Sequence, residues 1–267
     1  MVSVFDSGFL YGDGLFETFR AYSGKIFALQ KHLDRLAISS KQLQLSLPPD
    51  SILKKRLNET LERNHLKEAI LRLTITRGTC PAGFRPDLCG KTTLVISARP
   101  VQYFPDQYRK GVSCIILGIK RTSPTGIEPF PKSLNFLNNV LGKLEVHRRK
   151  AFEGIFLNKK NQLTEGTISN LFWVKGDILF TPSESATILK GITRNIVIDL
   201  TKKIGLRVAE GRYPQEDLFN SDEAFLTSTG IALMPITSME GHPIGSGQPG
   251  RITQTLHKLF QESTLAL

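Results

Sequence analysis

Cysteine is scarce in this sequence, which has three cysteines in 267 residues, at positions 80, 89 and 114. The number is odd, and no two of them form the closely spaced pair typical of metal-binding motifs. Neither a metal site nor a disulfide framework is therefore expected. Free thiols are the expectation, as is usual in a reducing compartment.

The chain also lacks an apolar run of the length that a membrane helix needs. Residues 1–10 have neither the basic start nor the apolar stretch of a signal peptide. These features predict no membrane association and a cytoplasmic location. The composition, 40% hydrophobic and 22% charged, is ordinary for a globular protein.

Acidic residues are outnumbered, with 24 Asp and Glu against 35 Lys and Arg and a formal net charge of +11. Such a balance raises the question of nucleic-acid binding. The densest basic clusters, 54–56 and 148–150, lie in stretches with helical periodicity, where solvated faces are usual. Aromatic residues do not interleave with them, as base stacking requires. We expect no nucleic-acid partner, and the charge suits a small anionic substrate.

Helical and strand-like patterns alternate along the chain and indicate a mixed α/β fold. In the first half, the pattern predicts strands at 2–10, 15–21, 69–76 and 92–98, helices at 28–43 and from Asp50 to about Asn64, and a loop at 77–91. The second half opens with a strand at 112–119.

A helix is then predicted from Ser133 to about Lys150, and its leucines 134, 137, 141 and 144 form an apolar seam. Strands at 153–157, 168–174 and 178–181 follow, and then a helix that Gly191 opens and Gly205 can close. We expect a small domain at 1–103, a linker at 104–111 and a large domain at 112–267.

The stretch from Thr164 to Arg194 carries the most specific pattern, since an acid, an asparagine and a helix-opening glycine stand in it at fixed separations. The positions that carry the pattern are Glu165, Thr167, Asn170, Leu171, Phe172, Leu179, Thr181, Leu189, Gly191, Ile192 and Arg194. This pattern resembles the signature of the class IV aminotransferases, the fold-type IV pyridoxal phosphate enzymes. The resemblance implies the two-domain fold of D-amino acid aminotransferase, an active site between the domains, and pyridoxal 5'-phosphate as cofactor.

Two positions match family residues that contact the cofactor: one bonds to its aldehyde carbon and the other pairs with its ring nitrogen. Lys132, in Pro-Lys-Ser-Leu-Asn, matches the lysine that forms a Schiff base with pyridoxal phosphate. A lysine outside such a motif is usually a surface residue, whereas one that is buried loses its proton readily and becomes a nucleophile. Glu165 matches the partner of the ring nitrogen, which an acid keeps protonated so that the ring withdraws electrons.

Four positions match the family's phosphate site. The backbone amides of Ile192 and Thr193 stand at a helix start, where free N–H groups attract anions. Arg35 matches the arginine of a His-x-x-Arg-Leu pattern and can pair with a phosphate. Thr229 matches a second element on the phosphate side, on a weaker pattern. We interpret His32 as structural, because a helix histidine is more often packed than catalytic.

Three features separate the family members, and one of them, the stretch from Glu153 to Pro182, is most similar to the aminodeoxychorismate lyases. The run Phe-Glu-Thr-Phe-Arg at 16–20 resembles the aminodeoxychorismate lyases, in which the threonine matching Thr18 is linked to proton transfer; a β-branched strand residue is an equally good explanation. The Arg-x-His clamp of the D-amino acid aminotransferases is absent, because Ala82 and Phe84 occupy its places. Arg77 or Arg85 could substitute for that clamp.

The resemblance therefore favours an aminodeoxychorismate lyase, which forms 4-aminobenzoate and pyruvate for folate biosynthesis. A D-amino acid or branched-chain amino acid aminotransferase is the alternative, and a basic, non-catalytic binding protein on the same fold is a third possibility. The family also implies a homodimer in which the loop at 77–91 covers the partner's cofactor. An N-terminal strand usual in the family has no match before residue 2.

Overall fold

The computed structural model describes residues 2–81, 84–122 and 131–265. They form two compact units, one of residues 2–102 with Pro131–Phe136 and the other of 103–122 with 137–265. The stretch 104–111, expected to be a linker, contains helix α4 of the second unit. Within the described ranges, no helix combines the length and apolarity that crossing a bilayer requires.

The first unit is a four-stranded antiparallel sheet covered by helices. Its elements are α1 (Ser7–Tyr11), β1 (Gly14–Tyr22), β2 (Lys25–Ile26), α2 (Leu29–Gln42), α3 (Asp50–Arg63), β3 (Ala69–Thr76) and β4 (Thr93–Pro100), with strand order β2-β1-β3-β4. Leu15 and Phe19 of β1 join Leu33 and Leu57 of the helices in the core. Because strand side chains alternate, Phe16 and Thr18 lie on the opposite face.

The strand expected at residues 2–10 is wrong, since residues Ser7–Tyr11 form the short helix α1. Asp6 caps this helix by accepting a hydrogen bond from the Gly8 amide, and Gly12 ends it in the left-handed conformation with φ 67°. Local capping of both helix ends therefore decides the conformation over the strand-like composition of the segment.

The second unit is built around a nine-stranded sheet. Its elements are α4 (Pro105–Lys110), β5 (Val112–Ile116), α5 (Leu137–Arg148), β6 (Glu153–Leu157), β7 (Leu163–Gly166), β8 (Asn170–Lys175), β9 (Ile178–Pro182), α6 (Ile192–Thr201), β10 (Arg207–Gly211), α7 (Gln215–Phe219), β11 (Glu223–Ser228), β12 (Ala232–Met239), β13 (His242–Pro243) and α8 (Arg251–Leu265). The strand order is β10-β9-β8-β11-β12-β5-β6-β7, with β13 beside β12. A further pairing of β7 with β8 closes six of these strands into a barrel, whose core includes Trp173, Leu226 and Met234.

Helix α5 begins at Leu137 and not at Ser133 as expected. The preceding residues are extended along β1: Lys132 accepts a hydrogen bond from the Phe16 amide at 3.0 Å, and the Leu134 amide donates to Gly14 at 2.9 Å. These bonds to the edge of the first sheet take the place of the first helical turn. The lysine therefore lies on an extended segment fixed to β1.

The apolar seam predicted for this helix is largely exposed along α5. The exposed fractions are 69% for Leu137, 44% for Leu141 and 61% for Leu144, and Val140 is exposed as well. Their spacing places them on one side of the helix. The first half of α5 thus presents an apolar stripe that is exposed among the described residues.

The expectation of three free thiols is also wrong, because Cys80 and Cys89 form a disulfide in the loop between β3 and β4. The two strands pair in register as far as Thr76 and Thr93, so the loop leaves and returns at neighbouring positions. Pairing of the strands thus brings together cysteines that are nine residues apart in sequence. The remaining cysteine, Cys114, is free and buried, and burial raises the pKa of its thiol.

Candidate active site

In the first unit, Lys132 lies beside an aromatic ring of β1. Its Nζ atom is 4.3 Å from the centroid of Phe16, and the guanidinium carbon of Arg72 is 3.7 Å from the same centroid. Phe136 packs edge-on against this ring at 5.4 Å between centroids. The Lys132 amine and the Arg72 guanidinium therefore both lie close to the same Phe16 ring.

A buried carboxylate, that of Glu17, organises the side chains next to this lysine. Arg35 donates from Nε and Nη2 to its two oxygens at 2.7 Å each, and His32 Nδ1 lies 2.8 Å from Oε2. Glu17 faces the helices from the core side of β1, where it is fully buried. The pair with Glu17 thus fixes both the position and the orientation of the Arg35 guanidinium.

The pKa shifts of Glu17 and His32 show which groups of this cluster are charged. Burial would raise the pKa of Glu17, but the Arg35 charge and the hydrogen bonds from His32 and Arg35 outweigh burial and lower the pKa from 4.5 to about 2. Burial lowers the pKa of His32; the charges of Arg35 and Lys132 lower it further, against the opposing effect of Glu17. His32 is therefore neutral at pH 7 and donates its Nδ1 proton to the carboxylate, which agrees with its interpretation as a structural residue.

Thr18 and Arg72 are paired in register on β1 and β3, on the face of the sheet opposite the core. Thr18 is partly exposed, although both of its neighbours in β1 are buried. Among the residues that the structure describes, Arg72 has neither a carboxylate partner nor a hydrogen bond, and partial burial lowers its pKa. This face of the sheet therefore offers the Thr18 hydroxyl and the Arg72 guanidinium side by side, next to the Phe16 ring that Lys132 contacts.

In the second unit, Glu165 is buried at the end of β7 and receives hydrogen bonds from three donors. Arg121 Nη2 donates to Oε1 at 2.6 Å; Oε2 accepts from the Leu189 amide at 2.9 Å and from Asn170 Nδ2 at 3.3 Å. Arg121 is itself buried and donates to Asn139 Oδ1 at 3.0 Å. The carboxylate is therefore held by donors from three separate segments of the chain.

Helix α6 begins at Ile192, three residues after Leu189, whose amide donates to Glu165. Its cap residue is Gly191, which has no side chain to cap the helix, and no side-chain acceptor is seen for the Ile192 and Thr193 amides among the described residues. A Cβ atom at Gly191 would overlap Asn170 Oδ1, which shows how closely the helix start approaches the Glu165 cluster. The amides of Ile192 and Thr193 thus remain available to an anion.

Thr229 lies in the turn between β11 and β12 and is partly exposed. Two residues earlier, Thr227 is fully buried, and its hydroxyl has no hydrogen-bond partner among the described residues. Thr227 pairs in register with Asn170, the residue that contacts Glu165. The strand that ends at this turn therefore runs beside the glutamate cluster.

The candidate substitutes for the missing Arg-x-His clamp have other partners. Arg77 forms a two-point ion pair with Asp13, at 2.6 and 3.0 Å, and also donates to backbone carbonyls after α2. Arg85 pairs with Asp87 on the surface. Phe84 is exposed, and Ala82 lies outside the described residues.

Sequence patterns missed three contributors to these clusters. Glu17 stands at a core-facing position of a strand, and a charged residue at such a position was a usable signal. Arg121 and Arg72 carried no comparable signal, because an isolated arginine in a loop or on an exposed sheet face is ordinary. Only the fold brings Arg121 to Glu165, 44 positions later in the sequence.

Comparison with known proteins gives one consistent family. The family described as amino-transferase class IV matches residues 14–239. A putative branched-chain-amino-acid aminotransferase of Methanocaldococcus jannaschii is 40% identical over 98% of this chain and 90% of its own. The aminodeoxychorismate lyase of Bacillus subtilis is 36% identical over 98% and 89%, and the D-alanine aminotransferase of Bacillus licheniformis is 34% identical over 99% and 92%.

Solved structures agree with the sequence relatives. The branched-chain amino acid aminotransferase of Escherichia coli has a TM-score of 0.93 at 28% identity, covering 98% of this chain and 89% of its own. A second branched-chain amino acid aminotransferase, solved with pyridoxamine 5'-phosphate, has a TM-score of 0.93 at 26% identity, covering 99% and 89%. The chain belongs to the class IV aminotransferase family, which confirms the resemblance and the fold expected from the sequence.

Within this family, the chain is an enzyme that uses pyridoxal 5'-phosphate. The residues present fit that cofactor. The start of α6 would suit a phosphate, the buried Glu165 carboxylate would suit a protonated ring nitrogen, and Lys132 would be the lysine that supplies the amine. When bound, the cofactor supplies an electron sink for carbanion chemistry at the substrate's amine-bearing carbon.

Proposed function

We propose that this protein is an aminodeoxychorismate lyase, which converts 4-amino-4-deoxychorismate to 4-aminobenzoate and pyruvate in folate biosynthesis in the cytoplasm. The observation that carries the proposal is the pairing of Thr18 with Arg72 on the face of the first sheet opposite the core. The relative from Bacillus subtilis, named as an aminodeoxychorismate lyase, supports it at 36% identity.

In this proposal, each matched residue has one role toward the cofactor. Lys132 carries the amine that joins the cofactor and later moves protons. Glu165 faces the ring nitrogen. The phosphate is bound by N–H and O–H donors, which are the amides of Ile192 and Thr193 and the side chains of Arg35 and Thr229. Glu17 supports the arginine's role because it fixes the guanidinium in one orientation.

Loss of pyruvate requires a proton donor near the departing enolpyruvyl group. Thr18 is suited to this role because its side chain lies on the face of the sheet opposite the core, beside the Phe16 ring that Lys132 contacts. Arg72 suits a carboxylate of the substrate, since its guanidinium has no ion-pair partner among the described residues. The substrate is a small anion, and both residues lie where a single molecule could reach them.

The test is the replacement Thr18→Val, which keeps the β-branched shape and removes the hydroxyl. We expect formation of 4-aminobenzoate and pyruvate to fall roughly 10²–10⁴-fold, the usual range for a positioned acid–base group, with cofactor binding unchanged. Thr74→Val is the matched control, because Thr74 lies on the same face of β3 and pairs with Phe16. Equal losses in both variants would show that packing, and not the hydroxyl, is responsible.

A branched-chain aminotransferase is the second candidate. The 40% identity to the relative from Methanocaldococcus jannaschii, over 98% of this chain, favours it. It would use the same cofactor residues, and Arg72 could bind the second carboxylate of a glutamate donor. Brisk transamination of leucine by the wild-type protein, without release of 4-aminobenzoate, would establish this alternative and reject the lyase. A D-amino acid aminotransferase is less well supported, because the Arg-x-His clamp is absent.

We further propose that the protein acts as a homodimer. The apolar stripe on α5, formed by Leu137, Val140, Leu141 and Leu144, is exposed in the single chain. An exposed apolar stripe of this kind usually marks a protein interface. A second copy of the chain is the proposed occupant, in keeping with the family.

A further inference from the structure

The ion pair between Arg121 and Glu165 is the least expected contact in the second unit. Both side chains are buried, and the Nη2 to Oε1 distance is 2.6 Å. Asn139 accepts a second hydrogen bond from Arg121 and donates to the Thr167 carbonyl at 2.6 Å. The arginine is thus bonded directly to Glu165 of β7 and, through Asn139, to the turn that follows this strand.

The geometry of the carboxyl group favours its ionised form. All three of its described partners, Arg121, Asn170 and the Leu189 amide, are donors. These donors occupy three of the roughly four lone-pair directions of a carboxylate, and each hydrogen bond is stronger to the ionised form than to the neutral acid. The positive charge of Arg121 adds an attraction that exists only for the carboxylate, and burial strengthens it.

A carboxylate facing a pyridine nitrogen can share a proton in two ways. The proton resides on the nitrogen, which gives an ion pair, or on the carboxyl, which gives two neutral partners. In a buried site the two arrangements differ little in free energy, because ion pairs lose solvation there. A fixed cation hydrogen-bonded to the carboxylate stabilises its ionised form and would therefore move a shared proton to the nitrogen.

We infer that Arg121 is a positioning residue whose charge keeps Glu165 ionised, so that the ring nitrogen of the cofactor retains its proton. This inference rests on the proposed role of Glu165 as the ring partner. It concerns a residue that acts on the cofactor through the glutamate. It also explains why a full arginine charge is buried beside a carboxylate that serves the cofactor.

The experiment is nuclear magnetic resonance of the holoenzyme loaded with pyridoxal phosphate that carries ¹⁵N at the ring nitrogen. The ¹⁵N chemical shift separates protonated from unprotonated rings without reference to activity. Arg121→Lys and Arg121→Gln form a matched pair, because both keep an N–H donor and only lysine keeps the charge. We expect a protonated ring in the wild type and in the lysine variant, and an unprotonated ring in the glutamine variant.

The outcomes are distinct. A protonated ring in the Arg121→Gln variant, or an unprotonated one in Arg121→Lys, would overturn the inference, since charge would not be the deciding property. Glu165→Gln tests the underlying role: a ring shift identical to that of the wild type would mean that Glu165 is not the ring partner at all. In the wild type, isotope-edited infrared spectroscopy of ¹³C-labelled glutamate provides a check that needs no Arg121 variant. A carboxyl band of protonated Glu165 in the holoenzyme, absent from Glu165→Gln, would equally refute the inference.

Discussion

Replacing Glu17 by glutamine removes the charge that holds Arg35 and His32 in place while preserving the shape of the side chain. The carboxyl is fully buried, and its pKa falls from 4.5 to about 2 in the folded protein. At about 1.4 kcal/mol per pH unit, the ionised form contributes on the order of 3 kcal/mol to the free energy of unfolding at pH 7. We expect Glu17→Gln to lose this amount.

The pH dependence has a definite sign. Because the folded pKa of Glu17 lies below its unfolded value, the contribution is complete above about pH 4.5 and is lost as the pH falls toward about 2. The wild type and Glu17→Gln should therefore differ most at pH 7 and converge in acid. His32, whose pKa burial lowers from 6.5, also destabilises the fold as the pH falls. Glu17 opposes this lowering in the wild type only, so the comparison at pH 7, where His32 is neutral in both proteins, isolates the Glu17 charge.

Urea unfolding of the cofactor-free protein provides the assay, with hydrogen exchange of β1 and α2 peptides as the readout. Peptide-level exchange is needed because a chain of two units need not unfold in one step. Glu59→Gln is the matched control, since Glu59 pairs with the exposed Arg56 and such surface pairs contribute at most about 1 kcal/mol. A loss below about 1 kcal/mol in Glu17→Gln, or an equal loss at pH 7 and pH 3, would refute the reasoning.

Four further predictions follow from the clusters described above. Lys132→Ala should abolish turnover with the fold intact, and borohydride reduction followed by peptide mapping of the wild type should label Lys132; a pyridoxyl group on another lysine would reject the assignment. Glu165→Gln should retain the cofactor but slow turnover by several orders of magnitude, because a neutral amide cannot stabilise a protonated ring; a near wild-type rate would contradict this. Light scattering at micromolar concentration should show a dimer that Leu144→Glu weakens, whereas a 29.8 kDa particle in the wild type would count against the dimer. Thiol titration in denaturant should find one thiol, that of Cys114, before reduction and three afterwards; three thiols before reduction would exclude the disulfide.

Some of the site was readable from the sequence because its signal is local. The helix start at Gly191 depends on neighbouring residues, and it occurs where the pattern placed it. The strand at 69–76 and the helix at 28–43 follow from side-chain periodicity, which burial of one face enforces. The family and the cofactor followed from motif spacing, and the comparisons confirm both. The roles of Lys132, Glu165 and Thr18 remain predictions.

Tertiary structure decided what depends on residues far apart in the chain. Ser133 was expected to begin a helix, but hydrogen bonds to β1 hold residues 131–136 extended. Cys80 and Cys89 meet because β3 and β4 pair up to the loop that carries them. Arg121 reaches Glu165, 44 positions later in the sequence, only in the folded unit, where both side chains are buried. Sequence periodicity reports which faces are apolar, whereas charge pairing in a buried site depends on distances that only the fold sets.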